Sequence, residues 1–181
     1  GRVLEAGGCV VGPGLVALHA HLRERGKEEA ETVETGSRAA ARGGFTAVVA
    51  MPNTSPAIDS AGVVREVQAL ARDALCAVQP SAALTVGRKG EQLTPMAELA
   101  ELGVRLFTDD GNGVQDDGLM RRAMEYAGGL PHDVVLAQHC EVEALAEGGH
   151  MNEGPWSSRL GIPGIPAAAE EVMVARDLAL A

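Results

Sequence analysis

Aromatic residues are nearly missing from this chain: Phe45, Phe107, Tyr126 and Trp156 are the four among 181 residues. A hydrophobic core must therefore be assembled from Val, Leu, Ile and Ala. Basic residues are also scarce, 15 Lys and Arg against 25 Asp and Glu, for a net charge of −10. That balance argues against a nucleic-acid binder, which needs a basic face to neutralise phosphates. Cysteine occurs three times, at Cys9, Cys76 and Cys140. An odd number at wide spacing suits reduced thiols rather than a disulfide scaffold. No apolar run approaches the roughly 20 residues of a membrane-spanning helix. The opening residues lack the basic-then-apolar pattern of a signal peptide. The expected location is the cytoplasm, with no membrane partner.

What is present is globular. Hydrophobic residues make up 46% and charged residues 22%, well away from the composition of disordered chains. The length fits one domain, or one domain with part of another. The chain opens without Met and ends on DLALA inside a helical pattern, with no Gly or Asn cap. We therefore expect a fragment.

Strands and helices are expected to alternate. GRVLEAGGCVVG reads as the tail of a small β element, and Pro13-Gly14 as a turn. Leu15 to His21 can form a strand, Thr32 to Arg42 a helix ending at Gly43-Gly44, and FTAVVAM a buried strand. Asp59 is placed to cap a helix whose Val63, Val67, Leu70, Ala71 and Ala74 share one face. Further strands are expected within Cys76 to Val86, at Val104 to Thr108 and at Val134 to His139. Further helices are expected from Pro95, Leu119, Val142 and Pro166. Residues 151–156 read as a long loop. Five βα units at roughly 30 residues each imply a parallel sheet with helices outside it. No GxGxxG or GxxxxGK[ST] follows any strand, so a nucleotide fold has little support. The polar residues gather at strand C-terminal ends, where (β/α)8 barrels keep their chemistry. The expected fold is therefore α/β: a partial (β/α)8 TIM-type barrel over 14–181, after a remnant of a small β domain over 1–13.

Three strand ends carry the chemistry. His19 and His21, two apart on a strand, point to one face and can share a divalent metal. Asp109-Asp110-Gly111 follows the strand VRLF, and a carboxylate there can bridge two metals, although Asp-Asp-Gly is also ordinary turn chemistry. His139 ends a third strand. Arg23 and Asn53 also follow strand ends, and a planar guanidinium with an amide beside it matches a carboxylate.

Read in order, GLVALHAHLRERG, GGFTAVVAMPNT, TVGRKGE, LFTDDGNGV, AQHCE and MNEG resemble the class I bacterial dihydroorotases of the amidohydrolase superfamily. The resemblance implies zinc, one or two ions, and reversible cyclisation of N-carbamoyl-L-aspartate to L-dihydroorotate in pyrimidine synthesis. It implies His19, His21, Asp110 and His139 as metal ligands, and Arg23 and Asn53 as substrate-binding groups. It implies a second copy or aspartate transcarbamoylase as protein partner. The proton-shuttling Asp of the family is expected beyond Ala181, so this stretch alone is expected to be inactive and, with two unpaired sheet edges, poorly soluble.

The chain departs from the family pattern in three places, one of them Ala20 in place of a larger residue. Ala17 stands where an Asp usually precedes the HxH, and Arg25 replaces a Pro, which is expected to leave the loop carrying Arg23 less rigid. These departures keep a second reading open, a non-catalytic dihydroorotase-like subunit that scaffolds aspartate transcarbamoylase. A hydantoinase- or allantoinase-like enzyme is a third. Those relatives bridge their metals with a carboxylated lysine, and neither Lys27 nor Lys89 follows the relevant strand.

Overall fold

The computed structural model describes residues 3–181. Residues 3–14 form no strand or helix, so the described part of the expected β remnant is irregular chain. Strand β1 (Leu15–Ala20) pairs in parallel with β2 (Phe45–Ala50), and β2 with β3 (Ala77–Pro80). Strand β4 (Leu106–Phe107) pairs in parallel with β5 (Val135–Leu136). A parallel bridge between Ala82 and Phe107 joins the two ladders. Around it, Ala82 N donates to the Leu106 carbonyl at 2.9 Å and Thr108 N to the Ala82 carbonyl at 2.9 Å. The sheet therefore runs β1-β2-β3-β4-β5 and does not close.

Helices fill the crossovers. They are α1 (Val33–Arg42), α2 (Ala61–Leu70), α3 (Met96–Glu101), α4 (Asp117–Gly128), α5 (Glu143–Ala146), α6 (Pro155–Leu160) and α7 (Ala168–Leu180). A separate parallel pair, β6 (Met151–Asn152) with β7 (Gly164–Ile165), brackets α6. This is an α/β fold with the alternation and open sheet of an incomplete (β/α)8 barrel. Residues 151–165 correct the loop reading. Met151–Asn152 and Gly164–Ile165 lie outside any apolar run of the kind that marks Val104 to Thr108 and Val134 to His139, which is why the pattern hid them.

Helix ends follow their local chemistry. Thr32 caps α1 in a reciprocal box: its hydroxyl accepts from Thr35 N at 3.1 Å, and the Thr35 hydroxyl accepts from Thr32 N at 3.0 Å. Replacing Thr32 with alanine is expected to lower stability by about 1 kcal/mol, read as an earlier midpoint in chemical unfolding. Asp116 caps α4 through Leu119 N at 2.5 Å. Asp59 does not cap α2 as expected. The N-cap is Ser60, and the Asp59 carboxylate instead accepts from Gly87 N at 2.8 Å. The backbone of a neighbouring crossover outcompetes the helix for that carboxylate. The buried stripe of α2 is Ala61, Val63, Val64 and Val67, while Leu70 stays partly exposed.

The core lies between the sheet and its helices. The larger cluster joins Val64 and Val67 of α2, Leu84, Met96 and Leu99 of α3, Phe107, and Leu119, Met120 and Ala123 of α4. A smaller one joins Leu22, Val33, Val48, Ala50, Cys76 and Val78. At the open edges Leu15, Val16 and Leu18 of β1 and Val135 of β5 are exposed. The packing thus holds the C-terminal ends of the strands at one side of the sheet, where residues that leave β1, β2 and β4 meet. No helix among the described residues is long and apolar enough to cross a membrane.

Candidate metal centre

Strand β1 delivers two imidazoles. His19 lies within it and His21 just past its end, so strand alternation aims both to one face. Their Nε2 atoms stand 3.2 Å apart. Asp110, two strands beyond β2 and just past β4, brings a carboxylate that is almost fully buried. Its Oδ1 is 3.1 Å from His19 Nε2 and its Oδ2 3.5 Å from His21 Nε2. The three ligand atoms lie within 4.8 Å of one another.

This spacing fits a metal. Bonds of 2.0–2.1 Å at a tetrahedral ion place neighbouring donors roughly 3.3 Å apart, and the observed separations bracket that value. Two imidazoles with a carboxylate form a nitrogen and oxygen set that suits zinc. His19, His21 and Asp110 therefore form a cluster capable of coordinating a metal ion.

The adjacent carboxylates face opposite ways. Asp109 turns into the protein, where its Oδ1 accepts from Leu84 N at 2.8 Å and Thr85 N at 2.9 Å, and its Oδ2 accepts from the Thr85 hydroxyl. Burial pushes the Asp109 carboxyl above its ordinary pKa, opposed by the donors from Thr85 and Leu84. These bonds pin the segment from which Asp110 projects. On the other side, the Arg88 guanidinium donates to the Asp110 carbonyl, and Asn112 Nδ2 donates to the Arg88 carbonyl at 3.0 Å. Arg88 has φ +58, a left-handed conformation that non-glycine residues seldom adopt. Gly113 lets the same loop approach the next strand end, since a β-carbon there would lie 2.6 Å from the His139 carbonyl. Sequence reasoning missed the anchoring by Asp109, Thr85 and Arg88, because each contact joins segments more than twenty residues apart.

Asn53 follows β2 and sits between the ligands. Its Oδ1 is 3.0 Å from His21 Nδ1, and its Nδ2 donates to Asp110 Oδ2 at 2.7 Å. Arg23 also has φ +58, and its guanidinium makes no hydrogen bond among the described residues. The loop around it makes contacts to three neighbouring segments. Arg25 pairs with Glu66 of α2, its carbonyl accepts from Ser55 N at 2.9 Å, and Glu24 accepts from Val33 N at 2.7 Å. Of these contacts only the pair with Glu66 depends on the side chain at 25; a proline there would still offer its carbonyl to Ser55 N. His139 follows β5, beside the strand that carries Asp110, but its exposed ring stays outside the cluster.

A parallel α/β sheet carrying a His-His-Asp cluster at its strand ends is the architecture of a metal-dependent amidohydrolase. The family model described as dihydro-orotase-like matches residues 8–181, and the chain belongs to that family. It is 52% identical over 180 residues to the dihydroorotase of Pelotomaculum thermopropionicum, covering 99% of this chain and 42% of that protein. The dihydroorotase of Bacillus caldolyticus is 49% identical over 180 residues, and that of Streptomyces coelicolor 50% identical over 183, with the same coverage of each. The chain thus spans less than half the length of the curated relatives it matches.

Proposed function

We propose that the full-length protein is a zinc-dependent dihydroorotase, interconverting N-carbamoyl-L-aspartate and L-dihydroorotate. The observation that carries this reading is the convergence of His19, His21 and Asp110 at ligand spacing in a chain about half identical to dihydroorotases. When bound, zinc supplies Lewis acidity, activating water and polarising the amide carbonyl. His19, His21 and Asp110 hold it, with His139 proposed as a further ligand from the adjoining strand end.

The chain's own groups then handle the substrate. Arg23 offers two parallel N–H donors to its carboxylate, which fixes orientation as well as charge. Asn53 keeps one amide hydrogen beyond the one given to Asp110, and it completes the carboxylate site. Ring closure is already intramolecular, so holding the substrate in register contributes by fixing the conformer in which the ureido nitrogen and the carboxyl carbon approach each other. The ligand cluster favours an enzyme over a non-catalytic scaffold, and an aspartate as the carboxylate ligand favours dihydroorotate over hydantoin or allantoin.

The test is a substrate panel on the zinc-loaded, full-length protein. Turnover of dihydroorotate, with hydantoin and allantoin at background, is the expected result. Bound zinc with preference for hydantoin would replace the substrate assignment. Failure to retain any zinc would leave the scaffold reading standing.

A further inference from the structure

The amide of Asn53 touches two of the three clustered ligands, and its chemistry allows one arrangement. A carboxylate without a proton can only accept, so the amide nitrogen must face Asp110, at 2.7 Å from Oδ2. The amide oxygen is then left facing His21 Nδ1 at 3.0 Å. An oxygen acceptor there requires that Nδ1 carry the proton. The lone pair of His21 is thereby placed on Nε2, the atom that stands 3.2 Å from His19 Nε2 and 3.5 Å from Asp110 Oδ2. His19 has no comparable partner on its Nδ1 among the described residues, and its ring is more exposed than that of His21.

We propose that Asn53 is a positioning residue for the metal centre: its amide selects the metal-binding tautomer of His21 and holds the Asp110 carboxylate by a hydrogen bond from its nitrogen. The inference rests on the metal centre proposed above, and it is distinct from a substrate contact. A side chain that orients a ligand through its second nitrogen tunes metal affinity by roughly 10- to 100-fold. A side chain that touches substrate alone changes KM and leaves the affinity for metal as it was.

Two measurements on the full-length protein decide it. Zinc affinity is measured by competition with a chromophoric chelator for wild type and Asn53→Ala. The expected result is a loss of roughly 10- to 100-fold in the variant. Histidine tautomers are read from nitrogen-15 spectra of the metal-free, histidine-labelled protein. The His21 signal is expected in the Nδ1-protonated form in wild type, and as a tautomer mixture in Asn53→Ala with His19 unchanged. Asn53→Asp, nearly isosteric, keeps an acceptor for His21 and removes the donor to Asp110. It should therefore preserve the His21 tautomer while still weakening zinc, and it serves if the alanine variant does not fold. Equal zinc affinity and an unchanged His21 tautomer in Asn53→Ala would overturn the inference alone. Wild-type protein that binds no zinc would overturn the metal centre and the inference with it.

Discussion

Replacing Asp110 with alanine in the full-length protein is expected to lower kcat/KM for dihydroorotate by about a thousandfold or more and to strip most of the bound zinc. A metal's electrostatic support of the transition state is worth several kcal/mol, and about 4 kcal/mol corresponds to about a thousandfold in rate. Asp110 contributes the only carboxylate of the cluster, with an oxygen toward each histidine. Without it two imidazoles remain, and the Asn53 amide loses its acceptor. Asp110→Asn separates charge from shape. It keeps an oxygen of similar reach but loses the negative charge, so it should retain the fold and still lose most of the zinc. Metal content by elemental analysis, beside steady-state rates, reads both effects. A variant that keeps a full complement of zinc and near-normal kcat would remove Asp110 from the centre.

The second large effect is on stability. Phe107→Ala is expected to cost about 3–5 kcal/mol, the range for truncating a buried phenylalanine. Phe107 is fully buried, and it belongs to the cluster that joins α2, α3 and α4 to the sheet. It also makes the parallel bridge to Ala82 that connects the two ladders. The other ring packed against this cluster, Tyr126, is already held through its hydroxyl, which accepts from Ala97 N at 3.1 Å. Such a loss is a large part of an ordinary net stability of about 5–15 kcal/mol. Phe45→Ala is the matched control: that ring is half-buried, at the start of β2, and should cost clearly less. Chemical unfolding of the full-length variants measures both. A Phe107→Ala cost below about 1 kcal/mol would contradict the packing described.

The two sites differ in how much of them is local. The shared face of His19 and His21 follows from the period of a strand, which any two residues at i and i+2 obey. The alternation of elements was likewise legible, because apolar periodicity marks β1 to β5 and most of the helices. Asp59 shows where such reasoning stops. A carboxylate two residues before a helix looks like a cap, yet a backbone amide 28 residues away takes it. Nothing near Asp59 in the sequence could have signalled that competition. Asp109 and Asp110 show the same limit. They are chemically identical neighbours, and which one turns inward is decided by the amides of Leu84 and Thr85.

The scarcity of aromatic and basic residues, the alternating pattern and the spacing of the HxH are properties of the sequence alone. They determine the class of fold and the kind of chemistry within reach. That Asp110 arrives within 3.1 Å of His19, that Arg25 is tied to Glu66, and that Asn53 joins His21 to Asp110 were decided by the tertiary structure. Periodicity acts between neighbours along the chain. A ligand set, in contrast, is assembled across parallel strands, whose pairing register is set by core packing and long crossovers.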